Sequence, residues 1–180
     1  MTATKLTSVR TEHERCEACG FNGDVFDDAA LLAALRSLGG RWRRQLADAG
    51  GDLRKRPEPD TWSAIEYAAH SRDVTMLHAY GVKEALTRAE PSFPDVTDDQ
   101  LNATAGTYAD ADPQAVVDAL AEAAERLAQV AEDAGFHAWA RGLTVGATRS
   151  DVRRLLEHAL HDSRHHLDDV DQGLARLRTG

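Results

Sequence analysis

Four long segments with helical periodicity fill most of the sequence and leave little of it for any other class of fold. Each begins after a residue that commonly caps helices, and together they cover residues 27–50, 63–88, 112–135 and 150–178. No run shows the alternation of a β-strand, so the sequence predicts an all-α protein. Because residues 90–112 form a long connection, we predict a four-helix bundle with a crossover between helices 2 and 3.

The helix boundaries are indicated by specific cap residues. Ser63 followed by Glu66 has the spacing of a capping box at the start of helix 2. Asp112 and Pro113 begin helix 3, and Ser150 is the predicted cap of helix 4. Helix 1 is predicted to be continuous, and residues 136–149 are predicted to be a glycine-punctuated loop.

The length of the chain predicts a single bundle domain preceded by an arm. A chain of 180 residues can bury one core without disulfide bonds. Residues 1–24 lack sustained periodicity and are predicted to be an irregular arm that contains a Cys-x-x-Cys motif. The bundle domain is then expected over residues 25–180.

The charge and hydropathy of the chain limit the classes of partner and the cellular location that we expect. The formal net charge is −9, which repels phosphate backbones and argues against nucleic-acid binding. No stretch has the roughly 20 apolar residues of a membrane span, and the start lacks the apolar core of a secretory signal. We therefore expect a cytoplasmic protein without membrane partners, whose ligands are small molecules. Such bundles commonly dimerise, and a homodimer is compatible with the sequence.

Histidines are concentrated on the last helix. The helix carries His158, His161, His165 and His166. At about 100° per residue, His161 and His165 fall on the side turned to water. His166 and Asp162, spaced i and i+4, border the apolar face, where both side chains reach one metal ion. His70, in the middle of helix 2, is the best third ligand, although a lone histidine beside an apolar face is more often a hydrogen-bonded core residue.

The motifs on helices 2 and 4 resemble those of the DinB/YfiT-like superfamily of metal-binding four-helix proteins, over roughly residues 26–178. Helix 2 of that family carries W-S-x-x-E-x-x-x-H, which this sequence matches from Trp62 to His70. Its last helix carries H-x-x-x-H or, in the branch of mycothiol-dependent maleylpyruvate isomerase, E-x-x-x-H-x-x-D-L. The present sequence has D-x-x-x-H-x-x-D-V from Asp162 to Val170 and is similar to the isomerase branch.

The resemblance implies a divalent metal, zinc in the first instance, held by His70, Asp162 and His166. Three protein ligands with an open fourth position are typical of catalytic zinc. Relatives use such a metal to activate a low-molecular-weight thiol such as mycothiol for S-transfer or isomerisation of an electrophilic substrate. Asp73 and Asp169 are then expected to orient the two histidines from outside the ligand set.

Several alternatives stay open at this point. Aspartate replaces the glutamate of the isomerase branch at position 162, and the competing ligand pair is His161 with His165. The sequence has no counterpart of the isomerase's C-terminal domain, so maleylpyruvate isomerase activity itself is not expected. The same ligands also suit a hydrolase that uses metal-bound hydroxide, or a non-catalytic metal-binding stress protein. Imidazole and carboxylate also suit nickel, iron or manganese.

The arm contains a second group of metal-binding residue types. His13, Cys16 and Cys19 read H-x-x-C-x-x-C, three donors that need a fourth from elsewhere to complete a tetrahedral zinc site. A reversible disulfide between the cysteines is the second possibility, and two reduced cysteines packing the arm onto the bundle are the third.

Overall fold

The bundle follows from the amphipathic pattern of its helices. The computed structural model describes residues 12–95 and 98–179. Its helices are α1 Asp28–Arg36, α2 Leu38–Ala49, α3 Ala64–Thr87, α4 Asp98–Ala105, α5 Pro113–Ala134 and α6 Val152–Thr179. Helix α3 packs against α5 and α6, while α1 and α2 together form the first rod of the bundle and pack against the same two helices. The predicted all-α four-helix bundle with a crossover between its second and third rods is confirmed.

The first rod is broken in two, so the prediction of one continuous helix is wrong. The break falls at Ser37, whose hydroxyl donates a hydrogen bond to the Ala34 carbonyl at 2.7 Å and competes with the helical ladder. Gly39, in the first turn of α2, allows a close approach to α5, because a Cβ there would lie 2.4 Å from the Ala121 Cβ. Gly39 has a low helix propensity, but its lack of a side chain allows α2 to pack closely against α5.

Short strands occur where only loops were predicted. The arm forms a hairpin of β1 (Arg15–Cys16) and β2 (Phe21–Asn22). The predicted loop at 136–149 contains a 3-10 helix, Phe136–Ala140, and β4 (Gly142–Val145), which pairs antiparallel with β5 (Thr148–Asp151). β4 also pairs in parallel with β3 (Ser92–Phe93) from the crossover. Strands of two to four residues are too short to show a period, which is why the sequence gives no sign of them.

The start of α6 differs from the predicted one by a single residue. Ser150 lies in β5, and the carboxylate of Asp151 accepts a hydrogen bond from the Arg154 backbone N–H at 2.8 Å. Asp151 therefore caps the helix in place of Ser150.

The core lies between the rods and is almost entirely aliphatic. Its fully buried large side chains are Leu31, Leu32, Leu35, Leu38, Trp42, Ile65, Leu120, Leu127, Leu143, Leu156 and Leu160. The indole of Trp42 donates a hydrogen bond to the Ser163 hydroxyl at 2.9 Å, so the polar atom of this buried ring is satisfied. Within the described ranges, none of the helices combines the length and apolar character needed to cross a membrane.

A buried carboxylate fixes the start of α3. Glu66 accepts hydrogen bonds from the Ser63 backbone N–H at 2.8 Å and from the Ser63 hydroxyl at 2.7 Å. The Arg56 guanidinium lies 3.0 Å from the same carboxylate and neutralises it. Since the helix start is fixed, the position of His70 one turn beyond Glu66 is fixed as well.

Replacing Glu66 by alanine is expected to destabilise the fold. The Glu66→Ala variant leaves a buried Ser63 N–H without an acceptor and Arg56 without its carboxylate, so the free energy of unfolding falls by about 1–3 kcal/mol. Urea denaturation in the presence of a chelator measures this. The matched control is Glu122→Ala on the exposed face of α5, whose pair with Arg126 contributes less than about 1 kcal/mol. Equal losses in the two variants would contradict the role assigned to Glu66.

Candidate metal centre

Two rods of the bundle bring an imidazole from α3 together with a carboxylate and an imidazole from α6. The His70 Nε2 and the His166 Nε2 each lie 3.5 Å from the Asp162 Oδ1. The two imidazole rings are 5.0 Å apart between centroids and nearly perpendicular. Ligand atoms of all three residues lie within 4.8 Å of one another. The three predicted ligands therefore converge on one point, which we call the triad.

The spacing of the triad matches that of ligands around a small divalent ion. Metal–ligand bonds of 2.0–2.1 Å in a tetrahedron place neighbouring donor atoms roughly 3.3–3.4 Å apart. The 3.5 Å separations between the carboxylate oxygen and each imidazole nitrogen are close to that edge. A hydrogen bond between such groups is normally shorter, so the present spacing suits a shared ion better than direct contact.

One oxygen of the triad has no partner among the described residues. The Asp162 Oδ2 is buried and accepts no hydrogen bond, although a buried carboxylate oxygen normally does. The side chains of His70, Asp162 and His166 are only 16%, 14% and 19% exposed. A buried charge with an unused oxygen beside two imidazoles fits a divalent cation, and the mixed nitrogen and oxygen donors suit zinc.

Asp169 fixes the orientation of the His166 ring. Its Oδ2 lies 2.9 Å from the His166 Nδ1, one turn along α6, and accepts the proton of that nitrogen. With Nδ1 protonated, the neutral ring has its lone pair on Nε2, the nitrogen that faces Asp162. The geometry is the one expected for a residue that orients a metal-binding imidazole from outside.

The ionisable groups of the triad shift one another's pKa values. Burial alone would raise the pKa of Asp162, but its contacts with His166 and then His70 outweigh burial and hold that pKa well below the usual range. Burial lowers the pKa of His166, whereas Asp162 and Asp169 raise it, and the net result is a raised pKa. Without metal, the triad therefore favours an ionised Asp162 beside a His166 ring that holds its proton more strongly than a free imidazole does.

Aromatic rings surround the triad, and Asp73 lies beyond them. The rings of Trp62 and Tyr108 pack against His70, with centroids at 5.2 and 6.5 Å, and that of Tyr67 packs against His166 at 5.0 Å. Asp73 accepts a hydrogen bond from the Tyr108 hydroxyl at 2.9 Å and a second one from Arg72. Among the described residues, the Asp73 carboxylate thus binds Tyr108 and Arg72, and no hydrogen bond joins it to His70.

Two arginines near the site have partners within the chain. Arg72 pairs with Asp73 at 2.7 Å, and Arg164 lies over the rings of Phe21 and Phe26. Trp139, on the 3-10 helix after α5, is buried and donates its indole N–H to the Ala131 carbonyl at 2.9 Å.

The arm covers the face of α6 that was predicted to face water. His161 is only 15% exposed, and its Nδ1 lies 3.0 Å from the Glu14 Oε1. His165 faces the arm's cysteines, with its Nδ1 3.8 Å from the Cys16 Sγ. The prediction of solvent-facing positions is wrong because a helical wheel cannot show which other segment covers the helix.

The predicted group of His13, Cys16 and Cys19 is not brought together. His13 points its Nδ1 at the buried carboxylate of Glu157, 2.7 Å away, and its Nε2 at Asp24. The two cysteines are free thiols. They lie instead with His161 and His165, and the donor atoms of these four side chains are within 4.8 Å of one another. We call this group the Cys2His2 cluster.

The sequence contained the signal for this grouping, because a Cys-x-x-Cys pair and a His-x-x-x-His pair are both present. What it lacked was any indication that they meet.

A cavity of about 570 Å³ lies between α3, α6 and the β4–β5 hairpin. Apolar side chains such as Leu77, Phe93 and Leu143 line most of it, and His158 lies at its border. The triad residues do not line it. Asp162 follows His158 by four residues, so the cavity and the triad are separated along α6 by one helical turn, roughly 6 Å.

The triad makes the stability of the metal-free protein depend on pH. The raised pKa of His166 stabilises the fold fully below its ordinary value of 6.5, and this contribution disappears as the pH rises through the raised pKa. The lowered pKa of Asp162 stabilises the fold above 3.8, and this contribution disappears as the pH falls through the lowered pKa. Both contributions are present together between these two values.

We therefore expect Asp162→Asn to destabilise the metal-free protein most near pH 5, and progressively less as the pH rises through the raised pKa of His166. Unfolding by urea at a series of pH values with a chelator present measures the difference from the wild type. Asp133→Asn, on the exposed end of α5, is the control and should show no such profile. A loss that stays constant across this range would contradict the ionised pair.

Comparisons with known proteins agree with this fold and show the family to which the chain belongs. No curated protein sequence matches the chain. The solved structure of YfiT from Bacillus subtilis, described as a probable metal-dependent hydrolase with an unusual four-helix bundle topology, superposes with a TM-score of 0.73 at 16% identity. The match covers 92% of this chain and 94% of YfiT, and at such low identity it shows the fold alone. The model of the DinB superfamily matches residues 29–170, a range that includes all three residues of the triad, and the chain belongs to that superfamily.

Proposed function

We propose that the protein is a metal-dependent enzyme whose triad of His70, Asp162 and His166 holds a divalent cation, zinc in the first instance. The observation that carries the proposal is the buried Asp162 carboxylate, which has one oxygen 3.5 Å from two imidazole nitrogens and the other without a partner. A buried charge of this kind is costly unless an ion or a full set of hydrogen bonds compensates it.

The ion would supply Lewis-acid chemistry, lowering the pKa of a small nucleophile bound at its open position. The surrounding residues have separate tasks. Asp169 holds the His166 ring with its Nε2 lone pair toward the site. The rings of Trp62 and Tyr67 cover the two imidazoles and keep bulk water away from them.

We propose a low-molecular-weight thiol as the nucleophile, with mycothiol as the first candidate. The support is the motif from Asp162 to Val170, which resembles that of the mycothiol-dependent branch. The composition, rich in alanine with only three lysines, is typical of a GC-rich genome and is compatible with mycothiol. The reaction would be transfer of the thiol sulfur to a small electrophile, or an isomerisation that begins with the same addition.

A second candidate function is hydrolysis, with water as the nucleophile. The observation in its favour is the structural similarity to YfiT, which is itself described as a probable metal-dependent hydrolase. The ligand set is the same for both functions. They differ only in whether turnover requires a thiol.

The cavity between α3 and α6 suits the apolar part of a substrate. Its lining is mainly aliphatic and aromatic, and the Glu14 carboxylate and the Arg154 guanidinium lie at its polar end. Since the cavity is about one helical turn from Asp162, a substrate several ångströms long would reach from it to the triad.

The experiment uses zinc-loaded protein without a histidine tag. Conjugation of mycothiol to 1-chloro-2,4-dinitrobenzene is measured in one series, and hydrolysis of p-nitrophenyl acetate without thiol in another. We expect zinc-dependent conjugation, and we expect His70→Ala to lower kcat/KM roughly a hundredfold or more, because a metal supplies several kcal/mol to such a step. His137→Ala, an exposed histidine on the 3-10 helix after α5, should retain the wild-type rate.

The two series separate the candidate functions. Zinc-dependent ester hydrolysis that mycothiol does not accelerate would replace the thiol function with the hydrolase. Absence of zinc-dependent turnover in both series, or equal rates for the wild type and His70→Ala, would contradict an enzymatic role for the triad.

A further inference from the structure

The hairpin of the arm places its two cysteines directly over α6. Cys16 lies in β1 opposite Phe21 of β2, and Cys19 lies in the turn between these strands. Gly20 ends the turn with a φ of +69°, a conformation that glycine adopts at little cost. Phe21 is buried against the ring of His161, with centroids 5.1 Å apart, so the turn is held at the level of the α6 histidines.

The four donors of the Cys2His2 cluster are spaced as zinc ligands are. In a tetrahedral site with bonds of 2.3 Å to sulfur and 2.0–2.1 Å to nitrogen, a sulfur and a nitrogen are roughly 3.6 Å apart. The Cys16 Sγ and the His165 Nδ1 are 3.8 Å apart. The donor atoms of all four residues lie within 4.8 Å of one another, and the His161 and His165 rings are nearly perpendicular.

Each imidazole of the cluster has a carboxylate behind it. The His165 Nε2 lies 3.7 Å from the Asp169 Oδ2, while its Nδ1 faces Cys16. The His161 Nδ1 lies 3.0 Å from the Glu14 Oε1, and neither ring nitrogen of this buried side chain makes a hydrogen bond among the described residues. A buried imidazole with unsatisfied nitrogens beside two thiols fits a metal ligand, and the nearby carboxylates are placed as outer partners of zinc-binding histidines are.

Backbone N–H groups face both sulfurs. Those of Ala18 and Cys19 interact with the Cys16 sulfur, and that of Phe21 interacts with the Cys19 sulfur. The two successive N–H groups at Cys16 stabilise negative charge on that sulfur, the form in which a cysteine binds a metal.

We propose that the Cys2His2 cluster is a structural zinc site that joins the arm to α6. Its ligands are Cys16, Cys19, His161 and His165. Two thiolates and two imidazoles complete a tetrahedron, so no position is left for a substrate, which distinguishes this site from the triad. Thiolate ligands also select zinc over magnesium or calcium.

Competing groupings in the same region are explained by other contacts. His13 is bound to Glu157, so the H-x-x-C-x-x-C pattern does not act as one unit. Glu14, His158 and His161 also approach one another, but Glu14 already pairs with Arg154 at 2.6 Å. Its carboxylate is therefore compensated without a metal, whereas the cysteines have no cationic side chain of lysine or arginine paired with them in the described structure.

The test substitutes cobalt for zinc, because cobalt bound to thiolate has a charge-transfer absorption in the near ultraviolet that cobalt bound only by nitrogen and oxygen lacks. Wild-type protein loaded with cobalt is expected to show this absorption, and elemental analysis of the zinc form is expected to give two ions per chain. The Cys16→Ser/Cys19→Ser variant should lose the absorption and one ion. His70→Ala should keep the absorption and lose the other ion.

Further variants test the ligand set. His161→Ala and His165→Ala should each weaken zinc binding at this site at least as much as the roughly 10–100-fold that loss of an outer partner costs. His137→Ala, an exposed histidine on the 3-10 helix after α5, is the matched control and should keep the absorption unchanged. Circular dichroism verifies that the helices persist, since the arm contributes little to the helical signal.

A measurement on the unmodified protein avoids the risk that a variant fails to fold. Titration of the two thiols with an organomercurial should release one zinc ion for every two thiols modified, and prior chelation should abolish that release. Absence of the thiolate absorption from the wild type, or its persistence in the double cysteine variant, would each overturn the proposal.

Discussion

Charge buried along α6 is the constraint on which the arrangement of the other segments depends. This helix carries Glu157 and Asp162, both carboxylates withdrawn from water, to either side of its apolar stripe. An unpaired buried carboxylate costs several kcal/mol, and α6 itself supplies only part of the compensation, with Arg153 2.6 Å from Glu157 and His166 3.5 Å from Asp162. Helix α3 supplies His70 to Asp162, and the arm supplies the His13 ring and the Glu14 backbone N–H to Glu157. Packing of α3 and of the arm against α6 is therefore specified by charge as well as by apolar area.

The features that could be predicted from the sequence are those that depend on the local pattern of residues. Periodicity and caps locate the rods, and the wheel of α6 places Asp162 and His166 beside its apolar stripe, where they lie in the structure. The sequence does not predict contacts between positions far apart in the chain. Glu157 meets His13 across 144 positions, and no local pattern reports that. For the same reason His161 and His165 were assigned to solvent, although the arm covers them. The break at Ser37 was missed because a weakened helix and a broken one have the same periodicity.

Adjacent histidines of α6 point to different sites because successive helical side chains diverge by about 100°. His166 faces α3 and the triad, while His165 faces the arm and its cysteines. Asp169 lies between them, one of its oxygens 2.9 Å from the His166 Nδ1 and 3.7 Å from the His165 Nε2. Asp169 thus orients the His166 ring by a hydrogen bond, while His165 is only near enough to interact with its charge. Binding of a metal to His165 would place further positive charge beside Asp169, so the two sites share one electrostatic neighbour.

The aspartate at position 162 shows how packing compensates for a shorter side chain. The aspartate side chain is shorter by one carbon–carbon bond, roughly 1.5 Å, than the glutamate in the isomerase-branch motif that the sequence resembles. The structure nevertheless places its oxygen 3.5 Å from both imidazoles. The two helices come close together farther along, where a Cβ on Gly81 of α3 would lie 3.2 Å from a methyl group of Leu155 in α6. Gly81 therefore leaves room for the Leu155 side chain where α6 packs on α3, roughly 16 Å along the helix from His70. With the separation of α3 and α6 unchanged, an acid one methylene longer would need a different rotamer to keep its oxygen at the same distance from the imidazoles, so the identity of residue 162 is tied to that separation.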